Sequence, residues 1–311
     1  MAIELHDGDG DPFWQESMFV AWYDRERGIG GAHRVGHETT AGRANLWSAI
    51  LTADGRRWRQ DRDGLALEAA DRTKQRLAAG STAFVEPDAG GLGVQVRDGD
   101  AEVDLRFEGF YDAMPVWNSP EAEEVAQTIA PNHAESSGRA RGTVRLDGET
   151  FEVDALCHRD HSWGSRDWST IISHRWFVGT FGPHLSFSAV VLQGPGFRWI
   201  RGGAVVRDGV VTRAESVDIV PLIEADGVSH RGGEAIWRLG GGETLTMRAR
   251  TVDGAIFRQK SFLAVEGLCE VRLEGSDEVG FADLETSNGI GHRTVERALR
   301  AVAVDGLSLA H

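Results

Sequence analysis

Period-two alternation of apolar and polar residues runs through this chain and constrains its fold more than any other feature. It is plain in Gly93-Val94-Gln95-Val96-Arg97, Glu102-Val103-Asp104-Leu105-Arg106-Phe107, Thr143-Val144-Arg145-Leu146-Asp147 and Glu243-Thr244-Leu245-Thr246-Met247-Arg248. Successive side chains of a strand point to opposite faces, so each run reads as a half-buried strand. Asp-Gly pairs punctuate the runs at Asp98-Gly99, Asp147-Gly148, Asp208-Gly209 and Asp253-Gly254. Such pairs suit tight hairpins, because glycine takes the positive φ that primed turns require. Only 8 prolines stand against 39 glycines, which fits central strands that must donate to a ladder. Antiparallel sheets or barrels follow.

Helical signals are sparse. Ser119 as N-cap, Pro120 at the first helical position and Glu121, Glu123 and Glu124 in the first turn predict one short helix. Residues 65–79 and 293–302 are compatible with helix or strand, and Leu239-Gly240-Gly241-Gly242 reads as a tight loop between strands. No glycine-rich phosphate motif stands between a strand and a helix, which argues against a nucleotide-binding α/β fold.

At 311 residues the chain has room for two domains or one large all-β unit. Its formal charge of −15, with no concentrated basic cluster, argues against a nucleic-acid partner. No apolar run is long enough to span a bilayer, and the start, MAIELHDGDGDPFW, lacks a basic and apolar leader, so a cytoplasmic protein is expected. Cys157 and Cys269 are too few for a disulfide scaffold and read as small buried residues. Tryptophan is in excess, 10 against 2 tyrosines.

The densest chemistry lies at Cys157-His158-Arg159-Asp160-His161-Ser162-Trp163-Gly164-Ser165-Arg166-Asp167-Trp168. If the strand Phe151-Glu152-Val153-Asp154 continues into this run, His158 and Asp160 share one face while Arg159 and His161 share the other. A carboxyl walled by indoles and imidazoles suits a general acid, with the net sign of its pKa shift left open. The plainer reading is an ion pair of Asp160 with Arg159 or Arg166 and two Trp plugs in a core. Convergence of His133, His158, Asp160 and His161 on a metal is a third reading. Adjacent strand residues point apart and no zinc-type spacing occurs, so no metal is expected.

His158-Arg159-Asp160-His161-Ser162-Trp163-Gly164-x-Arg166-x-Trp168 resembles the signature of the carotenoid 1,2-hydratase (hydroxyneurosporene synthase) and AttH-like superfamily. Other segments are similar to pieces of the same superfamily. Trp14-x-Glu16-Ser17, Phe19-Val20-Ala21-Trp22-Tyr23-Asp24 and Gly28-Ile29-Gly30-Gly31 look like its opening strand pair; Asn132-His133-Ala134-Glu135-Ser136-Ser137-Gly138 looks like its short His motif; Ala282-Asp283-Leu284-Glu285 with Gly289 and Gly291 looks like its closing segment. The resemblance implies an all-β chain of two tandem lipocalin-like antiparallel barrel or sandwich domains, with one or two short helices. We place them at 1–168, carrying the motif, and 169–311. It also implies an acid at Asp160 that protonates an alkene. The sequence departs from the hydratase branch at His158, where that branch has Tyr, and at Glu135, where it has Trp, so hydration of a carotenoid does not follow.

The expected activity is that of a cofactor-independent lyase or isomerase of hydratase, dehydratase or cyclase type, acting on an apolar isoprenoid-like or polycyclic molecule. Asp160 is the expected general acid, with His133 and His158 tuning it and Arg166 positioning it or a substrate oxygen. Trp163, Trp168, Trp176, Trp117 and Trp22 are candidate π-faces for a cation, and His161 and Glu135 candidate contacts, although any one Trp is by default a packing residue. Glu135 either replaces a lost partner of the acid or is a solvated strand residue, the latter being favoured. His174, His184, His230 and His292 read as surface or rim groups, and Glu285 as structural. The alternative from a different class is a lipocalin-like carrier of a hydrophobic ligand. A carrier needs one polar anchor, whereas this motif concentrates at least four ionisable groups. No cofactor is implied, and the oligomeric state stays open, a homodimer being one option.

Overall fold

The computed structural model describes residues 3–8, 10–87, 91–115, 131–194, 199–259 and 262–289. The helix expected after Ser119, the stretch 293–302, Trp117 and His292 lie outside the described residues. The remainder divides into two compact units, 3–115 with 131–166 and 167–289. Each is an antiparallel sheet, and among the described residues the only helical pieces are three-residue 3-10 turns. No helix among them is long and apolar enough to cross a membrane. The all-β, tandem lipocalin-like expectation is borne out.

The first unit contains β1 (Trp14–Asp24), β2 (Ile29–Glu38), β3 (Arg43–Thr52), β4 (Arg57–Ala66), β5 (Arg72–Thr73), β6 (Arg76–Ala79), β7 (Thr82–Val85), β8 (Leu92–Asp98), β9 (Ala101–Gly109), β10 (Met114–Pro115), β11 (Asn132–Leu146) and β12 (Glu149–Ser165). They form one twelve-stranded sheet in the order β4-β3-β2-β1-β12-β11-β9-β8-β7-β6-β5, with β10 paired to β11. The sheet curls until its arms meet: Trp58 and Gln60 of β4 donate to Asp98 at the end of β8, at 2.8 and 2.7 Å, and His37 of β2 bonds the Ala78 carbonyl of β6 at 2.7 Å. One face of the alternating strands lines the inside, where Val20, Trp22, Ile50, Phe84, Val94, Val144 and Cys157 are buried together.

The second unit contains β13 (Ser173–Gly182), β14 (Leu185–Gln193), β15 (Trp199–Arg207), β16 (Val210–Arg213), β17 (Ser216–Ile223), β18 (His230–Arg238), β19 (Thr244–Gln259), β20 (Phe262–Leu273) and β21 (Gly280–Gly289). Their order is β16-β15-β14-β13-β21-β20-β19-β18-β17. Phe177, Phe187, Trp237, Met247, Cys269 and Leu284 fill its core, and the Trp237 indole donates to the Ser188 carbonyl at 2.9 Å, satisfying its one polar atom.

The hairpin signals differ in outcome. Asp147-Gly148, with φ of 51° and 82°, joins β11 to β12, and Asp208-Gly209, with 48° and 78°, joins β15 to β16; both have the positive φ pair of a primed turn. Asp98-Gly99 joins β8 to β9 as expected. Asp253-Gly254 does not turn the chain. It lies inside β19 beside a register shift between Thr251 and Asp253, and a Cβ on Gly254 would stand 2.5 Å from the Glu266 carbonyl oxygen. This glycine marks a bulge with a close backbone approach. Residues 65–79 resolve as the end of β4, a 3-10 turn at Ala69–Asp71, β5 and β6. The 239–242 loop is a 3-10 turn between β18 and β19. Both cysteines are free and buried, and burial pushes both thiols up to about 12, which fits packing and not nucleophilic chemistry.

Candidate functional site

β12 carries the motif in the middle of the first sheet, between β1 and β11. Alternation sorts the motif onto two faces, as the sequence predicts. Asp160 pairs with Glu135 on β11 and Phe19 on β1, His158 with Ser137 and Ala21, and Ser162 with His133 and Ser17. Phe19 pairs with Arg34 on β2, and Arg34 with Trp47 on β3. One row across five strands therefore reads Trp47, Arg34, Phe19, Asp160, Glu135. The Arg34 guanidinium lies 4.8 Å from the Trp47 ring centroid, and Phe19, Arg34, Trp47 and Glu135 are all buried.

The polar groups on this face are chained. His133 Nε2 lies 2.9 Å from Glu135 Oε1, and His133 Nδ1 lies 2.6 Å from Ser162 Oγ. Ser162 Oγ donates in turn to Asp160 Oδ1 at 3.3 Å. His158 Nε2 stands 3.5 Å from Glu135 Oε2, and its Nδ1 lies 2.9 Å from Ser137 Oγ. Burial alone would push the Glu135 carboxyl up, but the hydrogen bonds and charges of His133 and His158 outweigh it and hold the group far below the usual carboxylate range. Burial likewise would lower His133. Its bond to Glu135, with the nearby Asp160 charge, overcomes burial and the opposing Arg166 and raises it. Both shifts favour the imidazolium–carboxylate form of the pair. A cationic His133 donates from both ring nitrogens, to Glu135 and to Ser162, so the direction of every bond from His133 to Asp160 is consistent.

Glu135 is therefore not the solvated strand residue favoured from sequence: it is fully buried, because β11 places it opposite Asp160 between two histidines. Arg166 is also buried and donates from Nη1 to Ser17 Oγ at 2.9 Å. His161 lies on the face opposite Asp160, as the alternation predicts, and the candidate π-faces Trp163 and Trp22 lie on that same opposite face rather than beside Asp160. Trp22 is packed in the apolar core. His161 Nε2 lies 2.9 Å from Glu16 Oε1, and Trp163 stacks on His6, with ring centroids 4.1 Å apart and planes within 3°. The aromatic groups in register with Asp160 are Phe19 and, two strands further, Trp47. Phe19 lies in the opening segment quoted above and Trp47 in no motif, and only knowledge of cross-strand register could have placed either beside Asp160.

The other face holds a second polar cluster at one end of β1 and β12. Glu16 Oε1 is 2.9 Å from His6 Nδ1 as well as from His161, and Arg72 Nη2 lies 2.6 Å from Glu16 Oε2. Against the cost of burial, these partners hold the Glu16 carboxyl below its ordinary value. His133, His158, Asp160 and His161 do not converge, because His161 points away from the rest. Among the described residues the one His/carboxylate group with metal-compatible spacing is His6, Glu16 and His161.

In the second unit Trp176 pairs with Glu285, and Glu285 with Glu266 on β20. Glu285 Oε1 accepts from Ser287 Oγ and lies 3.2 Å from His174 Nδ1. Trp168 sits in a 3-10 turn, its ring 5.2 Å from that of Phe262. His184 is a surface group beside Glu278. His230, expected at the surface, is instead buried; desolvation lowers it to about 4, and its Nδ1 lies 2.9 Å from Thr251 Oγ1.

A cavity of about 390 Å³ opens in the first unit, lined by Leu92, Phe107, Phe110, Tyr111 and Arg159 among others. The Tyr111 hydroxyl accepts from the Ser137 backbone at 2.9 Å and donates to Ser137 Oγ at 3.3 Å, so it connects this cavity to His158.

Solved structures resemble this fold over nearly its whole length. An AttH candidate (NE1406) from Nitrosomonas europaea is 12% identical, with a TM-score of 0.64 over 92% of this chain and 96% of that one. CghA with Sch210972 is 13% identical, with a TM-score of 0.63 over 94% and 95%. Kievitone hydratase from Nectria haematococca is 12% identical, with a TM-score of 0.62 over 88% of each chain. No curated protein matches in sequence. The likeness to the AttH-like superfamily that the central motif suggests is borne out in the fold. Residues 4–290 match a family described as a domain of unknown function, DUF7064, and the chain belongs to that family.

Proposed function

We propose that this protein is an acid–base lyase or isomerase, of hydratase, dehydratase or cyclase type, acting on an apolar isoprenoid-like or polycyclic small molecule. The observation that carries the reading is the buried Glu135 carboxylate held between two histidines, one of which reaches Asp160 through Ser162. A purely structural ion pair has no need of a relay that ends on a partly exposed acid. The solved kievitone hydratase, of the same fold, supports the class by analogy.

In this mechanism Asp160 gives its proton to an alkene carbon, leaving a carbocation. Water adds to the cation, or a neighbouring C–H bond breaks and its electron pair forms a new double bond; the proton released in either case is taken up by the Asp160 carboxylate and returns through Ser162 to His133. His133 restores the Asp160 proton through Ser162, and Glu135 stabilises the cationic His133 between turnovers. His158 holds the second oxygen of Glu135. Arg166 positions the relay from the Ser17 side and, by its charge, limits how firmly His133 keeps its proton. In the opposite direction Asp160 protonates an alcohol oxygen and water leaves.

A panel of terpenoid alkenes and alcohols in heavy water, with deuterium incorporation read by mass spectrometry, tests the proposal. Wild type should incorporate deuterium into at least one compound and Asp160→Asn should not. Equal incorporation by a folded Asp160→Asn protein would overturn the acid assignment. Stoichiometric binding without turnover would favour the carrier reading, which the 390 Å³ cavity supports.

A further inference from the structure

The cluster on the opposite face of β12 plays no part in that relay. We infer that His6, Glu16 and His161 bind a divalent first-row cation of the zinc type, with solvent in the remaining coordination position. All three donor atoms lie within 4.8 Å of one another. Two neutral imidazole nitrogens and a carboxylate oxygen are a borderline N/O set, which suits zinc, cobalt or nickel and not calcium or magnesium. Their single negative charge complements a dication.

The geometry needs little change to accept the ion. His6 Nδ1 and His161 Nε2 each stand 2.9 Å from Glu16 Oε1. Ligand atoms in a tetrahedral zinc shell are about 3.3 Å apart, given bonds of about 2.0–2.1 Å. Each ring would retreat a few tenths of an ångström from Oε1 while the two ring nitrogens, which lie within 4.8 Å of one another, draw together around the ion. The ion then replaces the imidazole proton that each ring directs at the carboxylate.

The surroundings resemble the outer shell of a metal site. Arg72 Nη2 lies 2.6 Å from Glu16 Oε2, and the backbone N–H of His6 lies 3.2 Å from both carboxylate oxygens, so the oxygen that would not ligate is already engaged and the group is fixed in orientation. Trp163 stacks flat on the His6 ring and lies 4.8 Å from the His161 ring, setting both imidazoles against one wall. Glu16 has no exposed side-chain surface, whereas the His6 and His161 side chains are 27% and 14% exposed. Solvent therefore reaches the imidazole side of the cluster, where an open coordination position would lie. His6 belongs to the segment ahead of β1, so a bound ion would also tie that segment to the middle of the sheet.

The test titrates metal-free full-length protein with Zn²⁺ calorimetrically and with Co²⁺ by visible absorption. Wild type should bind one ion per chain, and Co²⁺ should give the intense d–d bands of a four- or five-coordinate site. His6→Ala should lose at least ten-fold in affinity and lose those bands. This residue lies outside the strands, so its variant keeps the sheet intact, which a far-UV spectrum checks. His161→Ala should behave likewise, and His184→Ala, at an exposed histidine, should bind as wild type does. No one-to-one binding in wild type, or unchanged binding in a folded His6→Ala protein, would overturn the assignment.

Discussion

His133 and Glu135, two positions apart on β11, lie 2.9 Å apart, and each favours the other's charged form although Glu135 is fully buried. Removing one partner strands the other's charge. Glu135→Ala should therefore cost about 3–5 kcal/mol of stability, and the double variant His133→Ala/Glu135→Ala clearly less than the sum of the two single changes. Urea denaturation of the four proteins in a double-mutant cycle measures the coupling; additive losses would show that the pair does not interact.

The pair also fixes a pH signature. His133 is raised above 6.5, so its contribution is complete below 6.5 and is lost as pH rises through the raised value. Glu135 is lowered from 4.5, so its contribution is complete above 4.5 and is lost as pH falls through the lowered value. Between 4.5 and 6.5 both are whole. The stability difference between wild type and His133→Gln should be largest in that window and shrink toward alkaline pH. A difference that grows with pH would contradict the ion pair.

Ser162 is the link between His133 and Asp160. Ser162→Ala should leave the fold intact, since the position lies within a regular strand, yet slow turnover by about 10²–10⁴-fold, the usual range for a general acid–base group. Single-turnover kinetics should assign the loss to the proton-transfer step, with substrate affinity unchanged.

Buried histidines also weaken the fold in acid, His33 and His230 among them. Desolvation lowers His33 to about 3 and His230 to about 4 from 6.5. The unfolded chain binds these protons first, so stability is whole above 6.5 and is lost as pH falls through the folded values, by about 3–5 kcal/mol per group at the limit. His33→Asn, which retains a partner for Ser48 beside the Trp22 ring, should flatten the fall between neutral pH and pH about 4. Chemical denaturation at several pH values gives the slope directly.

Gly164, within the motif, has φ +120°, and a Cβ there would lie 2.2 Å from Pro131 Cγ. Gly164→Ala should cost about 1–3 kcal/mol from the backbone conformation alone. The displaced Pro131 directly precedes β11, so the variant should also disturb His133. A changed His133 imidazole resonance in NMR would register that disturbance, and an unchanged one would refute it.

Much of this was legible in the sequence, and the limits have physical reasons. Alternation from Phe151 onward put His158 and Asp160 on one face and His161 on the other, because strand periodicity is local. Asp147-Gly148 and Asp208-Gly209 were readable as hairpins for the same reason. Burial of Glu135, stacking of Trp163 on His6 and alignment of Trp47, Arg34 and Phe19 with Asp160 depend on register between distant strands. A single sequence does not encode that register locally. Asp253-Gly254 misled because a bulge and a turn make the same demand for a small residue.

The opening strand of each unit lies in the interior of its sheet, Trp14 opposite Ser165 in one and Ser173 opposite Asn288 in the other. During synthesis, β1 emerges with one edge satisfied by β2 and must wait for well over a hundred residues before β12 covers the other. Contacts of such long sequence separation slow folding and leave a hydrophobic edge open to foreign strands meanwhile. Deleting β1 would not trim a border. It would sever the sheet at its keystone, separating Asp160 from Phe19 and the relay from its aromatic wall.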